Sequence, residues 1–314
     1  MSITVVGSIA FDAVETPFGV RERMLGGAAT HFALAASLLD EVRLVGPVGD
    51  DFGDDELAVL QTRGSSIDDV ERVAGGKTFF WKGKYDWDLN TRETLDTQLN
   101  VFEHFEPKLS EASRQSEVLF LANIQPGLQL QVREQCKEAR FVAMDSMNLW
   151  IDIARDQLLQ IISQVDCLML NDEELRQLTG KPNLISAAHA ILNSPPPAPS
   201  IIVAKQGEYG SALITKHDFF ALPAYPLHEV VDPTGAGDTF AGGFVGFVAR
   251  HIGAEVTPQV LRNAMAYGTA IASFNVERFG TEGLESVRAA DVRSRVRDLY
   301  RFAHFEPVDV ALRD

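Results

Sequence analysis

Asp238 directly follows Gly235-Ala236-Gly237 and precedes the small and apolar run Thr239-Phe240-Ala241-Gly242-Gly243-Phe244. The whole stretch, V-V-D-P-T-G-A-G-D-T-F-A-G-G-F from Val230 to Phe244, reads as a short apolar strand, a glycine turn and a helix. In such a turn Gly235, Ala236 and Gly237 direct successive amides into one concavity at a helix N-terminus. Unpaired N–H groups and the helix dipole converge there and attract an anion. Small residues are needed, because a larger side chain is expected to fill the space that a phosphate enters. An aspartate in the first turn of a helix often does no more than complement the dipole. Beside an anion nest it has a second use. It can take a proton from a hydroxyl while the nest bears the charge of a transferred phosphoryl group. The glycines before Asp238 and the small residues after it favour that second use.

Four other segments carry groups suited to the same chemistry. G-S-I-A-F-D, Gly7 to Asp12, places Asp12 just beyond the first apolar run. A carboxylate there accepts two hydroxyl hydrogen bonds, which suits neighbouring hydroxyls of a furanose; the plainer alternative is a solvated turn aspartate. G-G-A-A-T-H-F-A-L-A-A opens at Gly26-Gly27, a pair that alone marks an ordinary turn, and includes His31. M-L-N-D-E-E-L sets Asn171 and Glu174 three residues apart. That spacing fits an N-capped helix with acids in its first turn, and also a magnesium site, since magnesium keeps most of its waters and takes few carboxylates. K-Q-G-E-Y-G, Lys205 to Gly210, follows an apolar run and alone reads as a hairpin turn.

D-P-T-G-A-G-D-T-F closely resembles the C-terminal signature of the ribokinase-like (PfkB-type) carbohydrate kinases. The other four segments match that family in order, so the resemblance spans roughly residues 3 to 280. It implies Asp238 as catalytic base, with Gly235, Ala236 and Gly237 as the anion hole. Asp232 and Thr234 lie where the family often holds a monovalent cation such as K+. The resemblance further implies ATP and Mg2+ as cofactors, with Asn171, Glu174, Lys205, Gly207 and Gly210 on the nucleotide side. Asp12, Gly26, Gly27, His31 and Asn148 fall on the substrate side. Two positions depart from the common pattern: His31 replaces an asparagine, and Asp40 a glycine. His31 either hydrogen-bonds a substrate hydroxyl or packs beneath a lid. After Asp145 the chain reads S-M-N-L-W and lacks the D-x-N-x-R pattern of fructokinase-like and ketodeoxygluconate kinase-like members. An acidic sugar therefore loses its expected arginine.

Positioning these residues requires a particular scaffold. Ile3–Ile9, Val42–Val48, Val118–Ala122, Phe141–Asp145, Cys167–Leu170 and Ile201–Ala204 read as buried strands, with helical periodicity over 28–39, 129–138 and 173–179 between them. This alternation predicts an α/β fold with a mainly parallel central sheet covered on both faces. In such sheets ligands sit beyond the carboxyl ends of the strands. Together with the resemblance, it gives a ribokinase-like three-layer sandwich, one kinase domain over 1–314. Thr257-Pro258 supplies an N-cap and a first-turn proline for a late helix. The aromatic segment K-T-F-F-W-K-G-K-Y, Lys77 to Tyr85, reads either as a flap strand or as an edge hairpin of the main sheet. A small β lid over about 12–24 and 77–100 is the expectation, closing on the substrate to exclude water.

The net charge of -16 over 314 residues argues against a nucleic-acid partner, because no basic stripe exists to displace counterions. Cys136 and Cys167 fit no metal or disulfide spacing, no signal peptide is apparent, and no apolar run reaches membrane length, so a cytoplasmic, membrane-free protein is expected. The leading function is ATP-dependent phosphorylation of a hydroxyl on a small sugar, and nucleoside kinase is the alternative. A non-catalytic nucleotide-binding protein of the same fold is a third reading. A dinucleotide-dependent dehydrogenase is excluded, since Gly7 begins no G-x-G-x-x-G string. A homodimer through the lid is a further implication of the resemblance.

Overall fold

Valine- and isoleucine-rich runs form the middle of the larger of two sheets in the computed structural model, which describes residues 2–253, 256–304 and 306. The strands are β1 (Ser2–Val6), β2 (Ala10–Thr16), β3 (Gly19–Gly26), β4 (Glu41–Val48), β5 (Ser66–Arg72), β6 (Phe79–Tyr85), β7 (Arg92–Gln98), β8 (Val118–Leu121), β9 (Phe141–Asp145), β10 (Cys167–Asn171), β11 (Ile201–Lys205), β12 (Ser211–Ile214) and β13 (Phe219–Leu222). Nine of them make one sheet in the order β13-β12-β11-β10-β9-β8-β1-β4-β5. From β5 to β11 neighbours run parallel, and β12 and β13 return antiparallel at one edge.

Side chains alternate across this sheet and feed two apolar layers. Ile3, Val5, Val118 and Phe120 point to the face covered by the helices Ala28–Ala36, Ala236–Ala249 and Pro258–Asn275. Val6, Leu119, Leu121 and Met144 point to the face covered by Pro126–Gln135, Arg155–Ile162, Asp172–Thr179 and Leu184–Leu192. Small residues set the helix spacing on the first face. A Cβ on Gly242 would overlap the Phe32 carbonyl, and one on Gly243 would come within 2.9 Å of Gly268. The A-G-G-F segment after Asp238 thus brings its helix against two others, which fixes the direction of the helix N-terminus.

The remaining four strands form a small sheet in the order β3-β2-β6-β7. The segment 77–85 therefore belongs to a separate sheet and is no edge hairpin of the large one. β2 and β6 pair in parallel, Asp12 opposite Trp81, and β7 is exposed along its length.

Boundaries moved where tertiary contacts decide them. β1 stops at Val6, where the Gly7 amide turns to the Val45 carbonyl at 3.2 Å. Val230-Val231 forms no strand; the Val231 N–H instead donates to the Val276 carbonyl at 2.8 Å, at the end of the helix Pro258–Asn275. Thr257 does cap that helix, its hydroxyl accepting from the Val260 N–H at 3.3 Å. Among the described residues no helix is long and apolar enough to cross a membrane.

Candidate active site

The turn before Asp238 is tighter than three converging amides require. The Ala236 N–H donates to the Pro233 carbonyl at 3.1 Å, which closes a turn over Pro233–Ala236; among the described residues the amides of Gly235 and Gly237 have no backbone acceptor, the condition an anion site requires. Gly235 has φ 72° and ψ 3°, a left-handed conformation that favours glycine. A Cβ there would overlap the His31 ring, so the immediate obstacle to a larger residue is the histidine beneath the turn and not the phosphate space. At Gly237 a Cβ would stand 3.1 Å from Lys205 Nζ. The ammonium therefore borders the nest.

Lys205, the last residue of β11, is held by Asp145, the last residue of β9, at 2.6 Å. Asn171 ends β10 between them and caps the next helix. Its Oδ1 accepts from the Glu174 N–H at 2.7 Å, and Glu174 Oε2 accepts from the Asn171 N–H at 2.8 Å. The capped-helix reading of N-x-x-E is thus realised, and it places Glu174 in the electrostatic neighbourhood of Lys205 and Asp145. Burial pushes the Glu174 carboxyl up to about 7, with Lys205 opposing. Asp238 is also raised to about 7, first by desolvation and then by the Asp145 carboxylate, against the pull of Lys205 and Arg92. A base poised near neutrality suits proton abstraction.

Asp12 lies on β2, 5% exposed, pressed against the glycine pair. A Cβ on Gly26 would overlap Asp12 Oδ2, and one on Gly27, where φ is 97°, would overlap the Ser8 carbonyl. Ser8 explains the second glycine. Its Oγ accepts from the Ala28 N–H and its carbonyl from the Ala29 N–H, both at 3.0 Å, so it caps the helix Ala28–Ala36. Burial raises the Asp12 carboxyl to about 7, helped by the charges of Asp232 and Asp238. Asp232 is wholly buried; its oxygens accept from the Thr234 N–H at 2.9 Å and the Gly280 N–H at 3.0 Å.

The small sheet reaches this group from the other side. Thr234 Oγ1 donates to Tyr85 Oη at 3.2 Å, and Asn90, in the β6–β7 connection, donates to Glu208 Oε1 at 3.1 Å. Glu208 lies in the hairpin joining β11 to β12, where Gly207 and Gly210 have φ of 56° and 97°. Arg92 opens β7 and its charge favours the ionised forms of Asp12, Glu174 and Asp238. Asp145, Tyr85 and Arg92 were not visible in the motifs. Only Asp145, at the carboxyl end of a buried strand, carried a usable signal. Two expected substrate-side residues stand differently. His31 is 1% exposed beneath Gly235. Asn148 is exposed and turns back on its own helix, its Oδ1 accepting from the Leu149 N–H at 3.0 Å.

The pattern of the pfkB family carbohydrate kinases matches residues 2–287. The chain belongs to this family. It is 30% identical over 259 residues to a cytidine kinase of Thermococcus kodakarensis, covering 80% of this chain and 89% of that one. A nucleoside kinase of Methanothermobacter thermautotrophicus is 28% identical over 260 residues, covering 82% and 80%. Ribokinase and fructokinase are also among the named relatives. An Escherichia coli protein assigned as ribokinase II, solved with ATP and Mg2+, superposes with a TM-score of 0.75 at 18% identity, covering 95% of this chain and 99% of that one. The fold is thus ribokinase-like. This pfkB-family kinase is a phosphotransferase acting on a hydroxyl group of a sugar or nucleoside.

Proposed function

We propose that this kinase transfers the γ-phosphoryl group of ATP to a ribose hydroxyl of a nucleoside, with Asp238 as the base. The observation that carries the reading is the placement of two carboxyls within electrostatic reach of each other, Asp12 buried against the glycine pair and Asp238 in the first helical turn after Gly235. One accepts from ring hydroxyls and the other takes the proton of the attacking hydroxyl. The Gly235 and Gly237 amides, with the Lys205 ammonium, bear the charge that develops on the phosphoryl oxygens. A nucleoside is favoured over a free sugar by the cytidine and nucleoside kinase relatives, which align over most of their length.

Glu174, a half-buried carboxyl within electrostatic reach of the Lys205 ammonium, fits a water-mediated hold on Mg2+, which would neutralise phosphate charge. Asp232 fits a monovalent cation such as K+, since among the described residues it is buried with backbone donors and no ion pair. The small sheet serves as the lid of a single kinase domain. Its exposed outer face, with Leu95 and Leu99 in or beside β7, is the surface through which a homodimer would form.

An ADP-release assay with ATP and Mg2+ over ribonucleosides, deoxynucleosides, pentoses and hexoses tests the reading. Ribonucleosides are expected to give the highest kcat/KM, and Asp12→Ala to narrow the preference over a deoxy analogue. A site built to hydrogen-bond a hydroxyl discriminates by up to about 10⁴–10⁵-fold. A free sugar preferred over every nucleoside would overturn the choice of acceptor, and K+ titration in the same assay tests the cation.

A further inference from the structure

The turn Pro233–Ala236 has two ways to close, and a buried pair of side chains selects between them. Gly235 at φ 72° and ψ 3° occupies the third position of a type II turn, for which the ideal is about +80° and 0°. Types I and II differ by a flip of the central peptide, here Thr234–Gly235. In a trans peptide the carbonyl and the N–H point to opposite sides, so whatever holds the Thr234 carbonyl also aims the Gly235 amide.

Asn275 holds that carbonyl. It is wholly buried at the end of the helix Pro258–Asn275, and its Nδ2 donates to the Thr234 carbonyl at 2.8 Å. With the amide nitrogen so placed, Asn275 Oδ1 faces His31 Nδ1 at 3.0 Å. An oxygen only accepts, so Nδ1 carries the proton and donates. Burial lowers the His31 pKa to about 4, so the ring is neutral at physiological pH. Among the described residues its Nε2 has no hydrogen-bond partner, and its ring lies directly under Gly235.

We propose that His31 and Asn275 are positioning residues for phosphoryl transfer. They lock the Thr234–Gly235 peptide in the type II orientation that presents the Gly235 amide to the anion. His31 orients the Asn275 amide, Asn275 ties down the Thr234 carbonyl, and neither touches the substrate. The inference rests on Gly235 to Asp238 being the phosphoryl site. A neutral histidine suits the role, because the nest then keeps the shape set by its backbone without a titrating charge beneath it.

Four variants test it by ADP release, with circular dichroism and melting as folding controls. His31→Phe keeps the ring and removes the donor. Asn275→Leu keeps much of the volume and removes both bonds. Each should lower kcat by about 10–10²-fold, somewhat less than the full loss of an anion-hole donor, with the acceptor KM within about twofold of wild type. The double variant should be no worse than the poorer single, because the pair acts through one carbonyl. His31→Asn restores a donor near the Nδ1 position and should recover most of the lost kcat. Folded His31→Phe or Asn275→Leu protein with kcat within twofold of wild type would overturn the proposal. So would additive losses, or no recovery in His31→Asn. If one single variant does not fold, the other carries the test. If both fail to fold, His31→Asn, expected within about fivefold of wild type, decides alone. Asp238→Asn in parallel separates the failures: if it remains active, the site reading itself is wrong.

Discussion

Thr234 Oγ1 and Tyr85 Oη, 149 residues apart in the chain, join the small sheet to the loop carrying the anion nest by a 3.2 Å hydrogen bond. Arg92 is the cross-strand partner of Tyr85. A contact at Tyr85 therefore also bears on the place of Arg92, whose guanidinium lies over the Trp81 ring, 5.3 Å from its centroid, within electrostatic reach of Asp12, Glu174 and Asp238. Arg92→Met should lower kcat by roughly 10–10²-fold, less than the ~10²–10³-fold cost of losing a donor in direct contact with the developing charge. The fold should be retained, because β7 is exposed throughout. Steady-state kinetics at saturating ATP check this, and a kcat within twofold of wild type would remove Arg92 from the mechanism.

Asp238→Asn keeps the shape and cannot accept the proton, so kcat should fall by about 10²–10⁴-fold while ATP affinity, measured by calorimetry, changes little. In the wild type, kcat/KM should rise with pH and level off above about 7, because Asp238, as the proposed base, would have to lose its proton to act and its carboxyl is raised to about 7. Asp145 contributes to that elevation. Asp145→Asn should therefore move the acidic limb to lower pH, whatever it does to the maximum. An unmoved limb would show that another group titrates.

The same carboxyls bear on stability. Asp12, Glu174 and Asp238 are all raised to about 7 in the folded protein, from ordinary values of 3.8 to 4.5. Between those limits the folded state binds more protons than the unfolded one, so stability falls as pH rises through the window. Without ligands the protein should melt at a lower temperature at pH 8 than at pH 5.5. Asp12→Asn should flatten the slope and raise the melting temperature at pH 8. Scanning calorimetry at the two pH values decides, and a wild type more stable at pH 8 would contradict the burial of these charges.

Gly235 and Gly237 are separated by one residue but answer to different neighbours. Gly235→Ala meets the His31 ring in a left-handed backbone and should abolish most activity, with a modest loss of melting temperature. Gly237→Ala comes nearest to the Lys205 side chain, its ammonium at 3.1 Å being the far end of a flexible chain, and should be the milder of the two. Equal losses in kcat would mean that both positions face the phosphate directly.

The glycine turn and the helix it opens were legible in the sequence, and the proposed base with them, because they are contiguous: glycines, a carboxylate and a small-residue helix within a dozen positions. The parallel strands were legible for a related reason, since burial on both faces writes an unbroken apolar run. Asp145 with Lys205, and His31 with Asn275, were not legible as pairs. Their partners stand 60 and 244 residues apart, and each bond exists only once strands or helices are side by side. The short edge strands β12 and β13 escaped notice because four residues carry too little periodicity. Val230-Val231 looked like a strand by composition, yet the helix end at Val276 claimed its amide.

Asp12 belongs to the small sheet, while Asp238 heads a helix packed on the large one. The residue that would recognise the acceptor and the residue that would activate it are thus inherited on separate pieces of scaffold. Substitutions along β2 and β3 can drift toward a new acceptor while Tyr85, Arg92 and the helix and strand ends proposed to handle the phosphoryl group stay as they are. Exchanging the small sheet between relatives with Tyr85 and Arg92 kept is accordingly the shortest route to an enzyme with altered taste and unaltered chemistry.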